Sequence, residues 1–186
     1  MILFKPWVGS EYAKQPLKIL IVGESYYGMP ENLRDDNMGR KLIENDLHVR
    51  GDKSYNLHYH WFHNRFHYNV YKIFAGIILN EGYTDFYNKI SFCNYMQDVL
   101  IGAGDSVLYY MRNDDKYKEY FTSVVENLRP TLVVLTSNRF DALWRANGLV
   151  EYLGYRYINI VHPSRIKNEQ VKNEGNKIMQ ALNLLK

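Results

Sequence analysis

Apolar positions along the chain fall into short unbroken runs and longer helical stripes, and the two kinds alternate. Leu17 to Val22 is a short apolar run closed by Gly23, the pattern of a strand buried on both faces and followed by a sharp turn. From Tyr68 onward, Val70, Ile73, Phe74, Ile77 and Ile78 recur at helical spacing and predict a helix that ends near Gly82. Ile90 to Tyr95 reads as a second strand. Tyr117, Tyr120, Phe121, Val124, Val125 and Leu128 form the cleanest helical stripe in the chain, stopped by Pro130. Thr131 to Leu135 follows as a third strand, Asp141 to Ala146 as a short helix, and Arg156 to Val161 as a fourth strand that runs into His162-Pro163-Ser164. Val171, Ile178, Met179, Leu182 and Leu185 mark a closing helix.

Strands that alternate with helices predict one α/β domain over residues 1–186, a three-layer αβα sandwich around a central, mainly parallel four-stranded sheet. Ligands of such sheets bind where loops leave the carboxyl ends of the strands. Here those loops are Gly23 to Gly28, Asn94 to Gln97, Thr136 to Arg139 and His162 to Ile166. Between Met29 and Tyr68 the chain is polar and aromatic without clear periodicity, apart from a helical stretch through Met38 to Asp46, and a long excursion over the binding edge is expected.

Composition adds limits. The 186 residues, 46% of them hydrophobic, suffice for one substantial core. The formal net charge of +3 permits a polyanionic partner without demanding one. A single cysteine, Cys93, excludes an internal disulfide and any site with several cysteine ligands, which fits a reducing cytoplasm. Met1 to Ser10 lacks the apolar core of a signal peptide, and no apolar run approaches the roughly 20 residues needed to cross a bilayer. The expectation is a cytoplasmic monomer with no membrane partner.

Candidate chemistry concentrates at two of the loops. A strand ending in Gly23-Glu24-Ser25-Tyr26-Tyr27-Gly28 and a last strand ending in His162-Pro163-Ser164, about 140 residues apart, together resemble the signature loops of the uracil-DNA glycosylase superfamily. In the branch whose first loop reads Gly-Gln-Asp-Pro-Tyr-His, the alignment lays Ser25 on the water-activating acid and Tyr27 on the tyrosine that excludes thymine's methyl group. The iron-sulfur branch carries Gly-Glu-Ala-Pro-Gly, which lays Glu24 on its glutamate, although the cluster cysteines are missing here. Tyr26 replaces the proline of both. The chain thus resembles a divergent member, and the resemblance implies a uracil-DNA glycosylase-like fold, a DNA partner containing uracil or a damaged base, and no metal or other cofactor.

Excising a base requires stabilising a cationic sugar, supplying a water and holding the departing base anion. By resemblance His162 donates to a carbonyl oxygen of the base, Glu24 orients water or offsets the sugar's charge, and Ser25 positions that water but is too weak an acid to be its base. Gly23, Tyr26, Tyr27, Asn94 and Ser164 would line the base site, with Asn94 reading the pyrimidine's amide edge through one donor and one acceptor. Ile166, beside Arg165, occupies the place of the apolar wedge that fills the gap left by a flipped base. Each has a plainer reading: Glu24 as a helix cap, Asn94 as a turn former, Ile166 as core.

The segment His58, His60, Trp61, His63, Arg65, Phe66 and His67 offers a helical His63/His67 pair without a third metal ligand, or a base-stacking surface. Gly102-Ala103-Gly104 reads as a turn and Cys93 as a small buried apolar residue. Two functions remain open: a DNA glycosylase hydrolysing the N-glycosidic bond of uracil or a related damaged base, and a base- or nucleotide-binding module that has lost the chemistry. A generic nucleotide-binding α/β protein, holding phosphate at the helix after Gly28, is a third.

Overall fold

The computed structural model describes residues 4–27, 37, 43, 65–75, 82–100, 115–138, 144–145, 148–153 and 157–184. Along them run the strands β1 (Trp7–Val8), β2 (Ile19–Gly23), β3 (Tyr26–Tyr27), β4 (Ser91–Asn94), β5 (Val99–Leu100), β6 (Leu132–Leu135) and β7 (Tyr157–Asn159). The helices are α1 (Arg65–Phe74), α2 (Tyr83–Lys89), α3 (Asp115–Leu128), α4 (Leu149–Leu153) and α5 (Asn168–Leu184), with short 3-10 turns at Tyr12–Lys14 and Pro163–Arg165.

Five strands form the main sheet in the order β1-β4-β2-β6-β7. The four strands expected from the sequence are there and mutually parallel, with Ile21 opposite both Phe92 and Val134. The fifth corrects the four-stranded expectation: β1 pairs antiparallel with β4, Trp7 against Phe92, and makes the sheet mixed. Two residues are too few to show a strand's alternation, which is why the pattern missed it. A separate parallel pair joins β3 to β5.

Helices cover both faces. Ile19, Ile21, Phe92, Leu132 and Val134 pack against α1, α2 and α5 through Phe66, Val70, Ile73, Phe86, Ile178 and Leu182. Leu20, Val22, Cys93, Val133 and Leu135 pack against α3, Trp144 and α4. Alternation within each strand therefore feeds two cores, the reason the strands read as unbroken apolar runs. The stripe of α3 is borne out, with Tyr117, Phe121, Val124 and Val125 all buried. That of α5 is corrected at Met179, which lies exposed, and helix α2 had no sequence counterpart. Ile77, Ile78, Leu185 and most of the 38–46 and 141–146 stretches lie outside the described residues, although Ile43 is helical and buried. No helix among the described residues is long and apolar enough to cross a membrane.

The crossovers place the functional edge. Strand β2 lies at the centre, and the helices that follow it in the chain, α1 and α2, pack on one face. Trp144 and α4, which follow its neighbour β6, pack on the other. Where connections from adjacent parallel strands leave to opposite faces, a crevice opens at their carboxyl ends. The residues there are Glu24 and Ser25 after β2, and Thr136 and Ser137 after β6.

Candidate functional site

Gly23 is the last residue of β2 and pairs with Asn94, the last of β4. A Cβ on Gly23 would overlap Asn94 Oδ1 and come within 3.1 Å of Phe92 Cζ. Glycine is thus needed here for close approach, because the Asn94 side chain lies across the strand where a side chain of residue 23 would stand. Asn94 is 5% exposed, and no described residue hydrogen-bonds its carboxamide. Its backbone carbonyl takes Gln97 Nε2 at 2.7 Å, and Gln97 Oε1 takes the Phe4 N–H at 2.7 Å. Gln97 therefore bonds the loop backbone and not the Asn94 side chain.

Beyond Gly23 the ladder continues for one more step, with Tyr95 N–H on the Gly23 carbonyl and Met96 N–H on that of Glu24, each at 2.9 Å. This fixes the Glu24 backbone, and the residue is 9% exposed. Ser25 is equally buried, and its Oγ has no hydrogen-bond partner among the described residues. A buried hydroxyl without a partner costs about 1–3 kcal/mol, so such groups mark places where a ligand or water is received. On the other side of the crevice Thr136 is satisfied, its Oγ1 and N–H both bonding the Val22 carbonyl, at 2.8 and 3.0 Å.

His162 follows β7 at the same edge and caps the Pro163–Arg165 turn. Its Nδ1 accepts the Ser164 N–H at 3.3 Å, which requires Nδ1 without a proton and leaves the neutral ring's proton on Nε2 as a donor. The Phe66 ring stands 5.4 Å from the His162 ring and 5.8 Å from that of Phe92, whose tip reaches Gly23. Through this aromatic bridge His162 and Asn94 share the face of the sheet covered by α1.

The loop holding His162 is tied to two helices. Asn69 Nδ2 of α1 donates to the Pro163 carbonyl at 2.7 Å, and Glu174 Oε2 of α5 accepts the Val161 N–H at 3.2 Å. Neither residue was legible as functional in the sequence. The available signal was polarity out of place, since Asn69 interrupts the stripe Phe66, Val70, Ile73 and Glu174 interrupts Val171, Ile178, Leu182.

The remaining candidates divide. Ser164 contributes its backbone N–H to His162, and Arg165 is exposed on the same turn. Ile166 does not offer a wedge: it is 4% exposed and packed in the core shared by α1 and α5. The apolar residue after the turn is consumed in docking the loop. Tyr26 and Tyr27 are placed by backbone as β3, and their side chains lie outside the description. His67 belongs to the core, where the Tyr87 hydroxyl donates to its carbonyl at 2.9 Å and so accepts from its Nδ1 at 3.2 Å. The residues at 58, 60, 61, 63, 102–104 and 139 lie outside the described residues. Among those described, no group of three or more His, Cys, Asp or Glu is placed to hold a metal ion. Burial pushes the Cys93 thiol up to about 12, which suits packing and not nucleophilic attack.

The ends of three strands thus carry the Asn94 amide, the His162 imidazole, Glu24 and the Ser25 hydroxyl, the last without a hydrogen-bond partner among the described residues. Such a set suits a planar, polar heterocycle with an amide edge. No protein-family model matches this chain, and no curated protein matches it.

Proposed function

We propose that this chain is a base-excising hydrolase of the uracil-DNA glycosylase type, acting on uracil or a related damaged base flipped out of DNA. The observation that carries the reading is the Asn94 carboxamide, buried across Gly23 and unmet by any described residue. A carboxamide presents one donor and one acceptor side by side, which matches the N–H and C=O edge of a pyrimidine. The Nε2–H of His162 supports the same reading, since it supplies a donor for a base carbonyl oxygen as negative charge develops there.

In this reaction the bond between C1′ of the sugar and the base nitrogen breaks, and its electron pair leaves with the base. His162 donates a hydrogen bond to the base oxygen without giving up its proton. Water adds to C1′, and the proton it sheds passes to Glu24 or to solvent. Glu24 offsets the positive charge on the sugar, and Ser25 orients the water. With a serine where an acid would activate water, the carboxylate role falls to Glu24 alone. DNA is the partner, and Arg165, the exposed residue of the Pro163–Arg165 turn, is the cation set to meet its phosphates.

The test is cleavage of oligonucleotides carrying U opposite G, U opposite A, single-stranded U or hypoxanthine, developed with alkali. Cleavage that Glu24→Gln and His162→Ala each reduce at least about 100-fold, and that Asn94→Ala also weakens, is the expected result. Intact strands with all four substrates, beside an active control enzyme, overturn the reading. Tight binding of the free base in that case favours a binding module, the reading suggested by Ser25 in place of an acid.

A further inference from the structure

Strand β7 is the edge of the sheet among the described residues and ends at Asn159, so no described strand lies on the outer side of the segment leading to His162. The backbone there is gripped instead by side chains on either side of the histidine. On one side Glu174 Oε2 does what a neighbouring strand would do, accepting the Val161 N–H at 3.2 Å, while Glu174 Oε1 takes Lys177 Nζ at 2.7 Å. On the other side Asn69 Nδ2 donates to the Pro163 carbonyl at 2.7 Å. Both gripping groups are almost wholly buried, at 6% exposure for Asn69 and 4% for Glu174. They come from helices far apart in the chain, α1 and α5, which pack together on the same face of the sheet.

We propose that Asn69 and Glu174 are positioning residues that set the orientation and tautomer of His162. With the Val161 N–H and the Pro163–Ser164 peptide held, the Ser164 N–H is kept where it meets Nδ1, and the imidazole keeps its proton on Nε2. The inference deepens the base-excision reading and rests on it for function, because Nε2–H is the donor which that reading uses. Its structural core is independent of any activity. A misplacement of about 1 Å at a reacting group costs on the order of 100-fold in rate, so loss of either grip is expected to fall on kcat more than on KM.

Nitrogen NMR of His162 in the full chain reads the tautomer directly, with one nitrogen unprotonated and one protonated. Asn69→Asp keeps the shape but sets a carboxylate oxygen against the Pro163 carbonyl, and Glu174→Ala removes the acceptor for Val161. In each variant the difference between the two nitrogens is expected to collapse toward the average of both tautomers. Glu174→Gln keeps an acceptor and is expected to retain the native pattern. Amide resonances of Leu135 and Phe121, on the opposite face, report that the fold is intact, and should one variant fail to fold, the variant on the other helix decides. Native nitrogen shifts in the folded variants overturn the proposal, whatever the activity. Collapsed shifts in a protein whose native form cleaves no base uphold the positioning and remove the excision reading.

Discussion

Gly23 and Asn94 act as one unit, since the carboxamide lies where a Cβ would be. Gly23→Ala must therefore move Asn94, and the far end of a flexible side chain is the part that yields. The expected outcome is a fold close to native with base cleavage lowered to the level of Asn94→Ala, about 5- to 150-fold for a lost hydrogen-bonding group of about 1–3 kcal/mol. Steady-state kinetics of the two single variants and the double variant check this. Full activity in Gly23→Ala would separate Asn94 from base recognition. Ser25 makes the opposite kind of test, because its buried hydroxyl is unsatisfied among the described residues. Ser25→Ala is expected to raise unfolding stability by up to about 1 kcal/mol while lowering the cleavage rate. Urea denaturation beside the oligonucleotide assay measures both, and a loss of stability would show that the hydroxyl is satisfied in solution.

Elements here end where their chemistry says they should. Helix α3 stops because Pro130 cannot continue it, and Arg129 takes the left-handed conformation at φ 47° with its N–H on the Val125 carbonyl at 2.8 Å. Glycine is the residue that adopts this conformation without a Cβ penalty. Arg129→Gly is accordingly expected to stabilise the protein by about 0.5 kcal/mol, after the greater flexibility of the unfolded chain is counted. A urea midpoint below that of the native chain would contradict it. Helix α5 shows what a periodic pattern cannot tell. Its stripe predicted burial of Met179, which is exposed, while the buried face takes in Glu174 because Val161 presents an N–H to it. A buried carboxylate is tolerable when its oxygens are met, and here both are.

Across the whole molecule, β1 forms one edge of the sheet among the described residues and links the first of them to β4 and the loop that follows Asn94. Trp7 Nε1 donates to the Tyr87 carbonyl at 2.9 Å, Ser91 Oγ to the Trp7 carbonyl at 2.6 Å, and the Phe4 N–H to Gln97 at 2.7 Å. Covering the edge of β4 in this way also protects it from pairing with another chain. Trp7→Ala is expected to lower stability by about 3–5 kcal/mol, read as a drop in the urea midpoint. An unchanged midpoint would mean that β1 merely rests on the sheet.

By itself the sequence determined the four parallel strands, the helices α1, α3 and α5, and the strand ends and loops in which Glu24, Ser25, Asn94 and His162 stand. Apolar burial is local in its pattern: a strand covered on both faces must be apolar throughout, and a helix covered on one face must be apolar every third or fourth residue. Only the tertiary structure decided which polar residues meet. Nothing near Gly23 in the chain indicates that Asn94 lies over it, and nothing near His162 points to Asn69 or Glu174. It also decided between wedge and core for Ile166 in favour of the core, and added β1 and α2. Hydrogen bonds between side chains and distant backbone depend on how the helices dock on the sheet, and that docking is set by the sum of all packed surfaces and not by any single stretch of chain.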